Sequence, residues 1–334
     1  MTMQKRGQYS RLLAAGHPSV PGEDSASGYL SDPAAWEGPA PDVAVWEAHR
    51  RYPMRLPRAF LAGSARHDLA DPLWRQGYPA AEELHEVPGF SADPLLEADH
   101  TPLPGMIQKY ADRVLLLLSG RCAIHCRFCF RRHRREEGVI REWRPILEAI
   151  RHDTRIQEVI YSGGDPLMVS DPELARLTHD LAAIPHLRRL RMHTRMPVAV
   201  PERIGEALLT WLTATRLQPI LVVHVNHPAE LGAAAQNALR RLVQKGIPVL
   251  HQGVLLRGVN DSVAVLTTLY TALIDMGVIP YYLHLLDPVA GAAHFQVPPE
   301  QGLELLRLLR KALPGYAVPR LVRDHPDGRG KEGV

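Results

Sequence analysis

From residue 113 to residue 313 the chain alternates short, near-continuous apolar runs with longer stretches in which leucine and isoleucine recur three and four residues apart. The apolar runs predict strands at Val114–Leu118, Glu158–Tyr161, Leu187–His193, Ile220–Val225, Val249–Leu255 and Ile279–Leu285. The periodic stretches predict helices at Trp143–His152, Pro172–Ile184, Pro201–Ala214, Glu230–Lys245, Ser262–Met276 and Pro299–Leu313. Leu174, Leu177 and Leu181 form one apolar stripe, and so do Ile204, Leu208 and Leu212, and Leu266, Leu269 and Leu273. Pro172 and Pro201 suit a first helical turn, while Gly246 and Gly277 suit the end of a helix. Strands that are apolar on both faces and joined by helices imply a parallel sheet covered on its outer side. Six β/α units are too few for a closed eight-stranded barrel, so the expected class is α/β: an incomplete (β/α)6 barrel-like crescent with its chemistry at the carboxyl ends of the strands.

The texture before residue 105 is different, with 13 of the 29 prolines and a Ser/Gly/Asp-rich stretch around Gly22 to Gly28. Proline at that density breaks long helices and central strands. The organisation expected is a loosely ordered stretch 1–30, an irregular proline-rich N-terminal extension 31–104, a core 105–315 and a C-terminal segment 316–334. Trp36, Trp46, Leu56, Phe60 and Leu73 are the apolar anchors available to the extension.

Composition adds limits. With 46% hydrophobic and 22% charged residues in a chain of 334, disorder and collagen-like repeats are excluded for the whole chain. A net charge of +3 is well short of a whole-chain nucleic-acid or membrane signature. The longest apolar run is five residues, Val114 to Leu118, so no membrane span of about 20 residues is expected. No secretory signal is evident, and the expected location is the cytoplasm.

All three cysteines, Cys122, Cys126 and Cys129, fall in the window Cys-Ala-Ile-His-Cys-Arg-Phe-Cys. An odd count at such short spacing points to metal ligation rather than a disulfide framework. Two metals compete. Zinc needs a fourth ligand, which His125 or His133 could provide. An iron–sulfur cluster normally takes four thiolates, so three leave one iron open to another ligand. A basic run, Arg131 to Arg135, follows directly, and its two ordinary explanations are a solvated helix start or a phosphate-contact strip.

Each expected strand ends in polar groups: Ser119-Gly120 and the cysteine loop, Ser162-Gly163-Gly164-Asp165, His193-Thr194-Arg195, His224-Val225-Asn226-His227, His251-Gln252, and Asp287. Any one of them is ordinary loop chemistry, and their coincidence at one rim carries the weight. The segment Pro319 to Lys331 is either a flexible tail or a loop returning over that rim with Lys331 beside a carbonyl partner.

The spacing Cys122-x-x-x-Cys126-x-x-Cys129 after a first strand, with a Gly-Gly loop after the second, resembles the radical S-adenosylmethionine superfamily. Residues 105–331 resemble the lysine 2,3-aminomutase family. The Cys-Arg-Phe-Cys-Phe-Arg-Arg-His form and the segments Pro-Arg-Ala-Phe-Leu-Ala and Asp-Pro-Leu-Trp-Arg-Gln near residues 57–76 are most similar to its elongation factor P β-lysylation branch.

The resemblance implies a four-iron four-sulfur cluster on Cys122, Cys126 and Cys129, with S-adenosylmethionine on the open iron. It places Ser162, Gly163, Gly164, Asp165, Arg195 and His224 at S-adenosylmethionine. Lys109, Tyr110, Arg113 and Gln252 fall where the family holds pyridoxal phosphate, and Lys331 aligns with the lysine that bonds to it. Arg131 aligns with the arginine for the substrate carboxylate, and Asp287 and Asp324 with the carboxylates that grip the lysine side-chain ammonium. An ammonium about 4 Å from a carboxylate gains on the order of 4 kcal/mol at an effective dielectric of 20, before desolvation. The implied activity is conversion of L-lysine to β-lysine by a 5′-deoxyadenosyl radical, with an electron donor such as flavodoxin or ferredoxin and a possible homo-oligomer. The product would serve elongation factor P modification or free metabolism. A zinc-stapled nucleic-acid-binding protein using Arg131 to Arg135 is the reading from another class.

Overall fold

The computed structural model describes residues 28–334 apart from 37–39, 66–67, 135–137 and 327–329. The expected loosely ordered stretch 1–30 therefore lies outside the described residues except at its end. There Tyr29–Leu30 (β1) pairs antiparallel with Leu56–Pro57 (β2).

All six expected strands form, with ends shifted by a few residues: Arg113–Ser119 (β4), Glu158–Gly163 (β5), Arg189–Thr194 (β6), Gln218–His224 (β7), Val249–Val254 (β8) and Ile279–His284 (β9). Each pairs parallel with the next, in chain order. The sheet is larger than the pattern predicts, because three strands lack an apolar signature. Met106–Tyr110 (β3) pairs antiparallel with β4 at one edge. Arg320–His325 (β10) is a seventh parallel strand beside β9, and Gly330–Gly333 (β11) folds back antiparallel on it. The flexible-tail alternative for the C-terminal segment is thus corrected: it is a two-stranded ribbon on the sheet. Its residues are mostly polar, and backbone pairing with β9, which periodicity does not register, holds it.

The two edges of this nine-stranded sheet meet. Gly330 has φ +84°, and a side chain there would run into Tyr110 Oη across the seam. His100 Nε2 also lies 3.1 Å from the Pro326 carbonyl oxygen. The crescent is therefore nearly closed, and β3 comes to lie next to β11.

The helices cover the outer face, as the stripes predict. Leu174, Leu177, Leu181, Leu208, Leu212, Leu266, Leu269 and Leu273 are all buried. Each contributes about 2 kcal/mol of burial. The expected helix Pro201–Ala214 divides into a 3-10 turn Pro201–Arg203 and a helix Glu206–Ala214. At the end of the 3-10 turn the buried Arg203 side chain is tied to Asp171 at 2.9 and 3.0 Å and to the Leu167 carbonyl at 2.9 Å.

The proline-rich extension shares one hydrophobic cluster with the sheet: Leu30, Trp36, Leu56, Phe60 and Leu73 pack with Val114, Leu116 and Tyr161. Trp46, also expected as an anchor, is only half-buried. No helix among the described residues is long and apolar enough to cross a membrane.

Candidate active site

A cavity of about 560 Å³ opens at the carboxyl ends of the parallel strands. Every residue that the family resemblance assigns to the cluster, the cofactors or the substrate lines it. The cysteine loop leaves β4 and forms one wall, Ser162 to Asp165 run from the end of β5 into the loop after it, Arg195 follows β6, and His224 and Gln252 sit on β7 and β8. The opposite wall is built across the seam, from Lys109 and Tyr110 on β3, Arg113 on β4, Asp287 after β9, Asp324 on β10 and Lys331 on β11.

The cysteine loop is held from behind by the extension. Arg127 N donates to the Gln76 carbonyl at 2.9 Å and His125 N to the Arg55 carbonyl at 3.0 Å. Arg127 is completely buried and donates from Nε and Nη2 to Glu83 at 2.8 and 2.6 Å, and Arg132 adds a 2.5 Å bond to the same carboxylate. Burial opposes the charge on Glu83, but the two guanidiniums outweigh it and hold the carboxyl below its usual range. Gly164 is required where the next loop crosses this one, since a Cβ there would collide with the Arg121 carbonyl and Cys122 Sγ.

This geometry removes two expectations. The zinc reading needs His125 or His133 beside the thiols, and among the described residues no three Cys, His, Asp or Glu side chains converge as a single ion requires. Each ring is turned to a backbone carbonyl by one nitrogen, His125 Nδ1 at 2.7 Å from that of Pro53 and His133 Nε2 at 2.9 Å from that of Ala290. The basic run is neither a solvated face nor a phosphate strip: Arg131 pairs with Glu97, Arg132 with Glu83 and Arg134 with Asp93. Arg135 lies outside the described residues.

The chamber's electrostatics come from burial. His224 is pushed down to about 3 by desolvation, reinforced by Arg195, and desolvation also carries His193 and His284 well below the usual imidazole value. All three are neutral at pH 7. Asp287 moves the other way, up to about 7, through desolvation and then the neighbouring Asp324. Asp165 is also raised by burial, and its oxygens accept from Thr194 Oγ1 and from the backbone of Arg195 and Leu167, so it braces the β5 loop against β6.

Several buried polar atoms at the chamber have no hydrogen-bond partner in the protein: Arg195 Nε, His224 Nε2, Gln252 Oε1 and His284 Nε2. Buried polar groups are normally satisfied, so this set marks where a polar ligand completes the site. Arg191, His284, Tyr282 and Glu97 are chamber residues that the sequence reading missed. For the first three a signal exists: Arg189, Arg191 and His193 alternate along β6, and Tyr282 and His284 along β9, placing polar side chains inward. Glu97 has none, since it sits on an isolated turn of the extension.

Comparison with known proteins fits this arrangement. Residues 116–267 match the model of the Radical SAM superfamily. The chain is 44% identical to the L-lysine 2,3-aminomutase of Escherichia coli K12, across 84% of this chain and 83% of that protein.

The chain belongs to the lysine 2,3-aminomutase family.

The L-lysine 2,3-aminomutase of Haemophilus influenzae is 41% identical over 83% of both chains. That of Clostridium subterminale is 38% identical, and there the match spans 80% of this chain but 65% of the relative. The lysine 2,3-aminomutase family uses a four-iron four-sulfur cluster, S-adenosylmethionine and pyridoxal phosphate. The residues present suit these groups. Three thiols share one short loop without converging on a single ion, a primary amine at Lys331 faces the chamber beside the cations Lys109 and Arg113, and unpartnered polar atoms line the wall between.

Proposed function

We propose that this chain is an L-lysine 2,3-aminomutase, moving the α-amino group of L-lysine to the β-carbon to give β-lysine. The observation that carries the reading is the convergence on one cavity of the cysteine loop, Lys331 and the acidic pair Asp287 and Asp324. An acid pair at a chamber wall favours a substrate whose side chain ends in a cation, and the relatives' names specify lysine.

In this reading Cys122, Cys126 and Cys129 hold the cluster, and Ser162, Gly163, Gly164, Asp165, Arg195 and His224 hold S-adenosylmethionine. Lys331 carries pyridoxal phosphate, with Lys109, Tyr110, Arg113 and Gln252 around it, the guanidinium of Arg113 suiting a phosphate. When bound, the cluster and S-adenosylmethionine supply hydrogen-abstracting radical chemistry, and pyridoxal phosphate supplies a carbonyl that carries the migrating amino group. The chain's own work is positioning and exclusion. Arg131 meets the substrate carboxylate, Asp287 and Asp324 meet its side-chain ammonium, and the neutral histidines offer donors and acceptors without competing charge. Burial keeps water from a reactive centre.

An electron donor of the flavodoxin or ferredoxin kind completes the system, and a homo-oligomer is part of the proposal. We assign the product to elongation factor P modification, because the Cys-Arg-Phe-Cys-Phe-Arg-Arg-His form and the segments near residues 57–76 resemble that branch of the family. The test is anaerobic reconstitution with iron, sulfide and pyridoxal phosphate, followed by L-lysine and S-adenosylmethionine under reduction. β-Lysine is the expected product, and a fully loaded protein that leaves lysine unchanged would refute the proposal. Transfer of the product to elongation factor P, against its accumulation as free amino acid, decides the destination.

A further inference from the structure

Arg195 ties the chamber wall to the cysteine loop through a buried side-chain network. Its Nη1 donates to Cys126 Sγ at 2.8 Å. Its Nη2 donates to Gln76 Oε1 at 2.5 Å and to Glu230 Oε2 at 2.8 Å. Gln76 is completely buried and saturated: Nε2 donates to Glu230 Oε1 at 3.1 Å and to the Pro72 carbonyl at 3.0 Å, while Oε1 also accepts from Asn226 Nδ2 at 2.9 Å. Only one orientation of that amide serves two acceptors on one side and two donors on the other. Glu230 is fixed in turn by the backbone N–H groups of Asn226 and His227, at 2.9 and 3.0 Å. Phe60 and Phe128 flank the guanidinium with ring centres 5.1 and 5.8 Å away.

Two features of this network exceed what a packing role requires. A guanidinium whose charge Glu230 already balances has no need of a sulfur partner, yet one of its N–H groups is spent on Cys126. Gln76 also reaches the cysteine loop by two routes, directly through its carbonyl to Arg127 N and indirectly through Arg195, which donates to Cys126 Sγ. Hydrogen bonds to the sulfur ligands, together with local charge and burial, set the reduction potential of an iron–sulfur cluster. An N–H aimed at a thiolate sulfur withdraws electron density from it and favours the reduced cluster.

We propose that Gln76 and Glu230 are positioning residues that press Arg195 onto Cys126, and that this N–H···S bond raises the potential at which a cluster on that thiolate accepts one electron from a low-potential one-electron donor. The proposal rests on the reading that Cys122, Cys126 and Cys129 hold the cluster. No bond forms or breaks in the step: the donor is oxidised by one electron and the cluster reduced by one.

The test is a redox titration with dithionite on the anaerobically reconstituted protein, without S-adenosylmethionine, followed by electron paramagnetic resonance. Arg195→Leu is expected to move the midpoint to more negative potential at unchanged iron content. Gln76→Met, which keeps the volume and drops the amide, is expected to move it in the same direction by less, and the double variant to match Arg195→Leu alone. A residue that merely braces the fold would change iron loading or melting temperature and leave the midpoint of the loaded fraction in place. An unmoved midpoint in Arg195→Leu overturns the proposal, and one in Gln76→Met overturns the positioning role. Should Arg195→Leu fail to fold, Arg195→Lys keeps the charge but not the fork: an intermediate shift supports the proposal and a wild-type midpoint overturns it. A wild-type protein that takes up no iron would instead count against the cysteine assignment.

Discussion

Lys331 Nζ donates to Asp324 Oδ2 at 2.9 Å, because the two residues are register partners across the β10–β11 ribbon. The amine proposed to carry pyridoxal phosphate thus rests on a carboxylate proposed to bind the substrate ammonium. The protein's own ammonium here pairs with Asp324. Were Lys331 to hold pyridoxal phosphate as proposed, Asp324 would be open to a substrate cation.

Lys331→Ala is accordingly expected to abolish the visible absorbance of lysine-bound pyridoxal phosphate while iron content stays at the wild-type level. The paired spectra and iron assay check it, and a retained band would move the attachment to another amine. Asp324→Asn should keep the band.

Asp287 sets a pH dependence. Its carboxyl is raised to about 7 by desolvation and by Asp324, so below that pH it is neutral and grips an ammonium poorly. Lysine's side-chain ammonium stays charged throughout this range. kcat/KM for lysine should therefore rise as pH increases through about 7, and Asp287→Asn should flatten that limb and raise KM roughly tenfold or more at pH 8 without changing cofactor loading. For stability the sign is opposite. A carboxyl raised in the folded state favours folding less as pH climbs from its unfolded value toward its folded one, so Asp287→Asn should gain stability relative to wild type above pH 7.

Glu97 holds Arg131 by a fork, Oε2 accepting from Nε at 2.8 Å and Oε1 from Nη2 at 2.6 Å. Nη1 is directed to Ser162 Oγ and the Gly163 carbonyl, both at 3.1 Å. The guanidinium plane is thereby fixed. Glu97→Gln loosens it and should raise KM for lysine several-fold with cluster and pyridoxal phosphate content unchanged. Lysinamide, which lacks the carboxylate, should be affected far less, and steady-state kinetics on the two substrates provides the comparison.

The buried Arg127–Glu83–Arg132 triad joins the extension to the cysteine loop. Removing the shared anion leaves two buried cations unpaired, which typically costs about 3–5 kcal/mol. Glu83→Gln should lower unfolding stability by that order in urea titration. Because Glu83 is held below the usual carboxylate range, the contribution is complete at neutral pH and fades only as pH falls through its depressed value. A Glu83→Gln protein with wild-type stability would contradict the assignment.

Strong local signals fixed much of this molecule in advance. The leucine stripes found the helices, the apolar runs found the six inner strands, and the cysteine window with its Gly-Gly companion pointed to the family that sequence identity then established. These features are visible because burial on one helical face, or on both faces of a strand, imposes a period, and because metal-binding thiolates must be close in sequence to share a short loop.

What no period encodes was decided by tertiary structure. β3, β10 and β11 lack the apolar run that marks the inner strands and are recruited by backbone pairing, and the meeting of the edge strands β3 and β11 at Tyr110 and Gly330 places Lys109 and Lys331 on one cavity. The basic run after Cys129 looks solvated in one dimension, yet Arg131, Arg132 and Arg134 are ion-paired in three, because Glu83, Asp93 and Glu97 return from a segment whose only sequence signature is proline. Gln76 and Glu230, 154 positions apart, meet at Arg195 for the same reason. A charge can be buried only where its counter-charge arrives, and that arrival depends on how the chain folds back on itself, which the composition of neither segment reveals.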